Sequence, residues 1–308
     1  MKSMCLSALT VILTFAPAAQ GSAVRSFVSS SGMDTNPCTR VAPCRSFGAA
    51  IAQTVSGGAV IAIDSAGYGA VTISQSITLL APEGVYAAMT APSGSVISIS
   101  GTATTDVVTL RGLSIEGAGS ANTGVSLSLA NLKTLRVQNC AFSGFAIRGI
   151  DYVPNNTGSA LFVSHSTFSD SATAISAFGN PGLNPNVSID HCQMTGGSYG
   201  CFIEQSTGSI SNTLIAGASS GGIFAESGST PVTVDHCEIS GNAVGLGSIS
   251  TAVMRVSNTA IVNNNTGLYV FDGGSLLSLV GDNTYPVKTN VVENNATPGA
   301  FTGTFTAQ

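Results

Sequence analysis

The chain has 308 residues, of which only 8% are charged, and its formal net charge is −5. Binding to nucleic acid needs a basic surface that meets the phosphates, so this composition excludes nucleic acid as an expected partner. Hydrophobic residues make up 44% of the chain, which excludes disorder, and 36 glycines with no tryptophan favour many short strands joined by tight turns.

The first residues have the layout of a secretory signal. A positively charged start is followed by an apolar run over residues 4–15 and by small residues up to Ala18 and Ala23. The run is shorter than the about 20 residues that a membrane-spanning helix needs, and no second such run follows. Residues 1–23 are therefore predicted to be removed on export, which leaves a secreted or periplasmic protein without membrane insertion.

Residues 24–58 are predicted to form an N-terminal cap. Cys38 and Cys44 lie in a proline-containing loop, and a disulfide between them would persist outside the cytoplasm. Residues 46–54 have the pattern of a short amphipathic helix with Ser46 as its N-cap. We expect this helix to cover the sheet edge that the first repeat of the following region would otherwise expose.

Six similar segments follow, and they align on one position that is always Asn or His. The steps between these positions are 26, 26, 21, 24 and 22 residues. Apolar and polar residues alternate in each segment, as in a strand with one buried face, and only stacking of the repeats can bury those faces. The sequence therefore predicts an all-β parallel β-helix, a solenoid, over residues 59–294, with residues 295–308 as a C-terminal tail. The aligned positions are Asn139, His165, His191, Asn212, His236 and Asn258.

The aligned Asn or His position is interpreted as a structural ladder at a tight turn. Asn can bind the backbone and its neighbour in the next repeat, and His can donate and accept hydrogen bonds in the same place. Catalysis or metal binding by these histidines is the alternative. His191 and His236 are two repeats apart, which is too far for a shared metal ion, so no metal ligand is assigned.

Three further segments carry a resemblance to a known group. Residues 43–47 (PCRSF), 63–69 (IDSAGYG) and 77–85 (ITLLAPEGV) look like the opening motif of small exported bacterial β-helix repeat proteins of unassigned function. This group is part of the pectin-lyase-like right-handed parallel β-helix superfamily. The resemblance covers nearly all of the chain after the signal and implies a right-handed solenoid. It does not imply one activity, because the superfamily includes lyases, hydrolases, epimerases and adhesins.

The resemblance also implies where a substrate would bind. In the enzymes of this superfamily, the strand that begins here at residues 149–150 lines the substrate cleft. Alternation along the equivalent strands turns several aromatic side chains outward, and aromatic faces suit sugar rings. These residues are the predicted substrate-binding set: Phe178, Phe202, Phe224, Tyr269 and Phe271.

Glu204 and Glu226 are predicted to lie one above the other on the same face. Two carboxylates about 5 Å apart repel, so at least one should titrate high or share a cation such as calcium. Such a pair can act as general acid and base, and retaining glycoside hydrolases hold their carboxyl groups about 5–5.5 Å apart. Glu204 and Glu226 are therefore the candidate catalytic residues of a polysaccharide lyase or glycoside hydrolase.

The alternative function is that of a non-catalytic structural or adhesive surface protein. Exposed apolar patches commonly mark interfaces, so a tail or a second subunit of a homo-oligomer could cover the aromatic residues. Pectate lyases work with clustered acidic calcium ligands, but no tight cluster of aspartates faces Lys133, Arg136 and Arg148. Polygalacturonases need several aspartates close together, whereas Asp151 stands alone. We therefore predict a protein that binds a polysaccharide and leave its cleavage open.

Overall fold

A computed structural model describes residues 23–228, 231–279, 283–284, 287–288 and 290–306, so the predicted signal up to residue 22 lies outside the described residues. The described chain is all-β apart from one helix, Phe47–Gln53, which is too short to cross a membrane. Its strands form three long parallel sheets, here called sheets 1, 2 and 3, and one short antiparallel pair.

Sheet 1 contains the strands Ala23–Val28, Thr54–Ala62, Ile77–Leu80, Val107–Arg111, Thr134–Gln138, Ala160–Ser164, Asn186–Asp190, Thr207–Ser211, Val232–Asp235, Val253–Ser257, Ser275–Leu279 and Gly303–Phe305. Sheet 2 contains Ala66–Gly67, Ala87–Thr90, Leu113–Glu116, Ala141–Ser143, Thr167–Ser169, Gln193–Thr195, Leu214–Ala216, Glu238–Ser240, Ala260–Val262 and Val291–Glu293. Sheet 3 contains Val71–Ile73, Ser95–Ile99, Thr123–Ala130, Arg148–Pro154, Thr173–Phe178, Tyr199–Glu204, Gly221–Glu226, Val244–Ile249 and Thr266–Phe271. The antiparallel pair joins Asn283–Thr284 to Val287–Lys288.

The chain visits sheets 1, 2 and 3 in turn and then returns to sheet 1 one level higher. Leu135 is paired with Leu161, and Leu161 with Val187, so residues about two dozen apart in sequence become vertical neighbours. This arrangement confirms the predicted parallel β-helix. It also explains the alternating pattern, because every second residue of a strand points into the shared interior.

The interior is a continuous stack of apolar side chains. Successive coils place like residues on top of one another, as where the rings of Phe142 and Phe168 stack with centroids 4.6 Å apart and an interplanar angle of 10°. Both phenylalanines are almost completely buried. No coil could bury such residues alone, so the stack is the unit that folds.

The predicted capping helix and disulfide are both present. The Ser46 hydroxyl accepts a hydrogen bond from the backbone N–H of Ala49, which caps the helix Phe47–Gln53. The helix buries Phe47 and Ile51 against the first strands of sheets 1 and 3 and so covers the N-terminal end of the core. Cys38 and Cys44 are joined in the loop before it.

Parallel pairing reaches close to both ends of the described chain. Ala23–Val28 pairs with Thr54–Ala62, and Gly303–Phe305 pairs with Ser275–Leu279. Phe301 also packs against the core. The division into a cap, a repeat region and a tail stays a prediction.

Four described cysteines are free, and all four are buried. Burial raises the pKa of Cys140, Cys192 and Cys237 from 9.0 to about 11, and it raises the pKa of Cys201 as well. A shift of this size alone lowers the thiolate fraction about a hundredfold. We therefore expect the folded chain from residue 24 onward to resist iodoacetamide and to take up four labels only when denatured. If intact mass showed that the folded protein is labelled as fast as an exposed cysteine, this result would contradict the burial of the four thiols.

Candidate functional site

The six aligned Asn and His residues lie at the turn between sheets 1 and 2. All six have a φ angle between 49° and 52°, in the left-handed region. This region is costly for most residues, but Asn and His are enriched there. The turn conformation thus accounts for the restricted choice of residue. The set is Asn139, His165, His191, Asn212, His236 and Asn258.

Two aspartates organise the contacts along this column. Asp190 accepts hydrogen bonds from His191 Nδ1 at 2.8 Å, Asn212 Nδ2 at 2.9 Å and Ser211 Oγ at 2.8 Å. Burial opposes its ionisation, but these bonds outweigh burial and lower the pKa of Asp190 to about 2. Asp235 is held in the same way two repeats further on by His236 and Asn258. The column therefore carries a repeated structural contact between an aspartate and the turn of the next coil.

A separate asparagine ladder lies inside the last coils, and sequence reasoning missed it. Asn242 Nδ2 donates to Asn264 Oδ1 at 3.0 Å, and Asn264 Nδ2 donates to Asn295 Oδ1 at 3.0 Å. The same oxygens accept from the backbone N–H groups of Asn242 and Asn264. Asn242 and Asn264 are both 2% exposed. Each side chain therefore joins two coils at the turn between sheets 2 and 3.

The outer face of sheet 3 has the register that alternation predicts. Phe202 is paired with Phe224, and Glu204 is paired with Glu226, in neighbouring strands. Ser176 and Phe178 precede Phe202 and Glu204 in the same two columns. The aromatic column and the carboxylate column thus run side by side along the axis of the helix.

Four rings on this face form one group, which we call the aromatic cluster: Phe178, Tyr199, Phe202 and Phe224. The Phe178 and Phe202 centroids are 5.8 Å apart. Tyr199 packs edge-on against Phe202 at 5.6 Å and against Phe224 at 5.5 Å. These are ordinary distances for aromatic pairs. Tyr199 was not predicted, because strict alternation from Cys201 and Ile203 assigns it to the interior.

Two glycines allow Phe224 to lie flat against the sheet. A Cβ atom on Gly221 would come within 2.1 Å of the ring, and one on Gly247 within 2.4 Å. The ring therefore lies over both glycine positions and is only 8% exposed. Phe224 forms the floor of the aromatic cluster, whereas Phe178, Tyr199 and Phe202 stay partly exposed beside it.

Tyr269 and Phe271 form a second aromatic group on the same sheet. They lie in the last strand of sheet 3, with Tyr269 paired to Gly247 and Phe271 to Ile249. Their rings are nearly parallel with centroids 6.4 Å apart, and Phe271 is 60% exposed. The five predicted aromatic residues are thus on one face, but the coil that contains Gly247 separates them into two groups.

Glu204 and Glu226 extend from neighbouring strands beside the aromatic cluster. Paired residues of adjacent parallel strands are about 4.8 Å apart. Burial, and then the negative charge of Glu226, raise the pKa of Glu204 above its ordinary value. A carboxyl that holds a proton more readily than an ordinary glutamate is suited to act as a general acid. Two carboxylates alone fall short of the about six to eight oxygen ligands that calcium takes.

Arg148 adds a guanidinium group at the other side of the cluster. Its Cζ atom lies 5.1 Å from the centroid of the Phe178 ring, and its Nη1 atom lies 3.2 Å from Asp151 Oδ1. Asp151 Oδ1 is buried without a well-aligned hydrogen bond, and burial raises the pKa of Asp151 although Arg148 opposes this shift. The predicted lone carboxylate is therefore an ion-pair partner of Arg148.

Comparisons with known proteins agree with this architecture. The family model for the right-handed β-helix region matches residues 155–306. The structure is similar to that of pectate lyase Pel9A, with 13% sequence identity, a TM-score of 0.52, and coverage of 83% of this chain and 68% of that one. The chain folds as a right-handed parallel β-helix.

A second solved structure similar to this β-helix is a variant of the PL6-family alginate lyase AlyGC. The sequence identity is 11% and the TM-score is 0.51. The match covers 96% of this chain but only 42% of the alginate lyase, so the chain spans less than half the length of that protein. Comparison with curated proteins found no sequence match. At these identities the similarity to both lyases shows the fold alone.

The β-helix has a shallow cavity next to the carboxylate column. It measures about 450 Å³, and its lining includes Gln205 and Ser227, which directly follow Glu204 and Glu226. A larger cavity of about 710 Å³ lies at the turn between sheets 1 and 2, lined in part by Glu83 and Arg111. Neither cavity has an aromatic lining residue, whereas the outer face of sheet 3 carries the aromatic cluster, so this face is the better candidate for a sugar. Among the described residues, no group of three or more His, Cys, Asp or Glu side chains could hold a metal ion.

Proposed function

We propose that this β-helix is an exported protein that binds a polysaccharide along the outer face of sheet 3. The observation that carries the proposal is the aromatic cluster, in which the partly exposed ring of Tyr199 packs against both Phe202 and Phe224. The cluster lies on the same sheet face as Glu204. Flat apolar rings pack against the C–H faces of sugars, and neighbouring carboxylates accept hydrogen bonds from hydroxyl groups. A sheet face that contacts only solvent usually carries polar side chains, not four packed aromatic rings.

Two further observations support this function. The similar solved structures are named as a pectate lyase and an alginate lyase, so this fold positions polysaccharides in other proteins. The Cys38–Cys44 disulfide fits an oxidising compartment outside the cytoplasm, as does the predicted signal over residues 1–23. Together they support a secreted or periplasmic protein that meets extracellular glycans.

Cleavage of the bound glycan is a second candidate, favoured by the raised pKa of Glu204 beside Glu226. In this role one carboxyl would donate a proton to the leaving oxygen while the other acts as nucleophile or base. The test is a Glu204→Gln, Glu226→Gln double variant. If this variant releases cleavage products at the wild-type rate, the assignment of these two residues as catalytic is wrong.

The binding proposal is tested by incubating the chain from residue 24 onward with a panel of neutral, acidic and amino-sugar oligosaccharides. We expect at least one glycan to bind and to slow hydrogen exchange in the strands Tyr199–Glu204 and Gly221–Glu226. Sheet 2 strands of the same coils, Gln193–Thr195 and Leu214–Ala216, are the internal control. If the panel gives no binding and the protein sediments as an oligomer that protects Phe202 and Phe224, an interface function replaces glycan binding.

A further inference from the structure

The charges around the aromatic cluster do not balance. The outward side chains include the carboxylates of Asp151, Glu204 and Glu226, against the single guanidinium of Arg148. That guanidinium is already engaged, because it contacts Asp151 at 3.2 Å and lies over the ring of Phe178. The charge that faces a ligand is therefore negative and is centred on Glu204 and Glu226.

This arrangement suits a ligand with positive groups at intervals along an apolar surface. A sugar ring that packs on Phe202 and Phe224 lies beside Glu204 and Glu226, because the two columns are separated by one alternation of the strand. An ammonium substituent on that ring can bind a carboxylate in a charge-assisted hydrogen bond and can also contact an aromatic face favourably. Protonated amines would relieve the repulsion between the two glutamates.

A polymer of uronic acids is negatively charged and is therefore a poor match for this negatively charged face. Each of its sugars carries a carboxylate, and the two glutamates already lie in paired positions about 4.8 Å apart. A uronate carboxylate that lies beside these glutamates is repelled by their negative charges, which disfavours binding. Arg148 offers little compensation because it is already engaged with Asp151. The charge of this face therefore differs from what pectate or alginate, both polymers of uronic acids, would need in the absence of a bridging cation.

Resting on the proposed function, we infer that the glycan is an amino-sugar polymer with unacetylated amines. Glu204 and Glu226 then determine specificity by pairing with ammonium groups, while the aromatic cluster supplies contacts that any sugar can make. The amine distinguishes this substrate class from its neutral N-acetylated counterpart, because acetylation removes the charge and keeps the ring.

The test compares three oligosaccharides of equal length: glucosamine, N-acetylglucosamine and galacturonate oligomers. Binding is measured by calorimetry slightly below neutral pH, with and without calcium. We expect the glucosamine oligomer to bind at least about tenfold more tightly than the neutral one, as one charge-assisted contact provides, and the galacturonate oligomer to bind most weakly. The preference should shrink as salt is added.

The double variant Glu204→Gln, Glu226→Gln should lose the preference for the glucosamine oligomer. Glu238→Gln is the matched control, since Glu238 is an exposed glutamate on the outer face of sheet 2. Equal affinity for the glucosamine and N-acetylglucosamine oligomers would overturn this inference and leave the proposed function standing, as would tightest binding of galacturonate with or without calcium. Failure of all three oligomers and of the wider panel to bind would contradict the proposed function itself.

Discussion

An Asn264→Ala variant is expected to lose about 3 kcal/mol of local stability, because it leaves buried polar groups of two coils without partners. The Asn264 side chain accepts from the Asn242 backbone N–H at 2.9 Å and donates to the Ile239 carbonyl at 3.0 Å. It also joins Asn242 to Asn295 through two bonds of 3.0 Å. Alanine can replace none of these four hydrogen bonds.

The measurement is hydrogen exchange of the Asn242 backbone amide and its neighbours in the last coils. A loss of about 3 kcal/mol speeds exchange from the local open state by roughly two orders of magnitude. The matched control is Asn265→Ala, because Asn265 is the adjacent asparagine and is exposed. Equal exchange rates in the two variants would show that the ladder contributes nothing beyond the backbone sheets.

The architecture and the register of sheet 3 could be predicted because they depend on two regularities of the sequence. Alternation assigns each residue to a face, and the aligned turn position fixes how coils stack. Together they place Phe202 next to Phe224 and Glu204 next to Glu226, as the structure has them. Every aligned Asn or His has a left-handed φ angle, and this restricts the residue types at the position, which makes the repeat visible in the sequence.

Features that depend on packing between coils could not be predicted in this way. Tyr199 departs from strict alternation beside Gly200, and its ring turns to Phe202 and Phe224. The burial of Phe224 depends on Gly247 one coil further on, where the missing Cβ makes room for the ring. Such contacts join residues that no local pattern relates.

The buried asparagine ladder was missed for a related reason. Asn242 and Asn264 are 22 residues apart, but Asn264 and Asn295 are 31 apart. The short antiparallel pair Asn283–Thr284 and Val287–Lys288 lies within this longer interval and lengthens the last coil. A ladder with only three members and an insertion between two of them has no constant period in the sequence.

A Phe202→Ala, Phe224→Ala double variant is expected to bind the glycan roughly a hundredfold less tightly than the wild type, since each ring contact contributes about a factor of ten. Affinity is measured by calorimetry with the tightest-binding oligosaccharide of the panel. The matched control is Phe162→Ala, because Phe162 is 38% exposed on sheet 1, where Arg136 lies over its ring, and is remote from the aromatic cluster.

The Gly247→Ala variant tests whether glycan binding depends on the position of the Phe224 ring, because it moves the ring without removing it. The added Cβ would lie 2.4 Å from Phe224 Cε1, so the ring must leave the floor of the aromatic cluster although no aromatic atom is removed. We expect an affinity between those of the wild type and the double variant, whereas Gly67→Ala, where a Cβ meets nothing within 4 Å, should bind as the wild type does. Wild-type affinity in both Gly247→Ala and the double variant would mean that the sugar does not rest on these rings, because neither moving nor deleting them would then change the surface that it contacts.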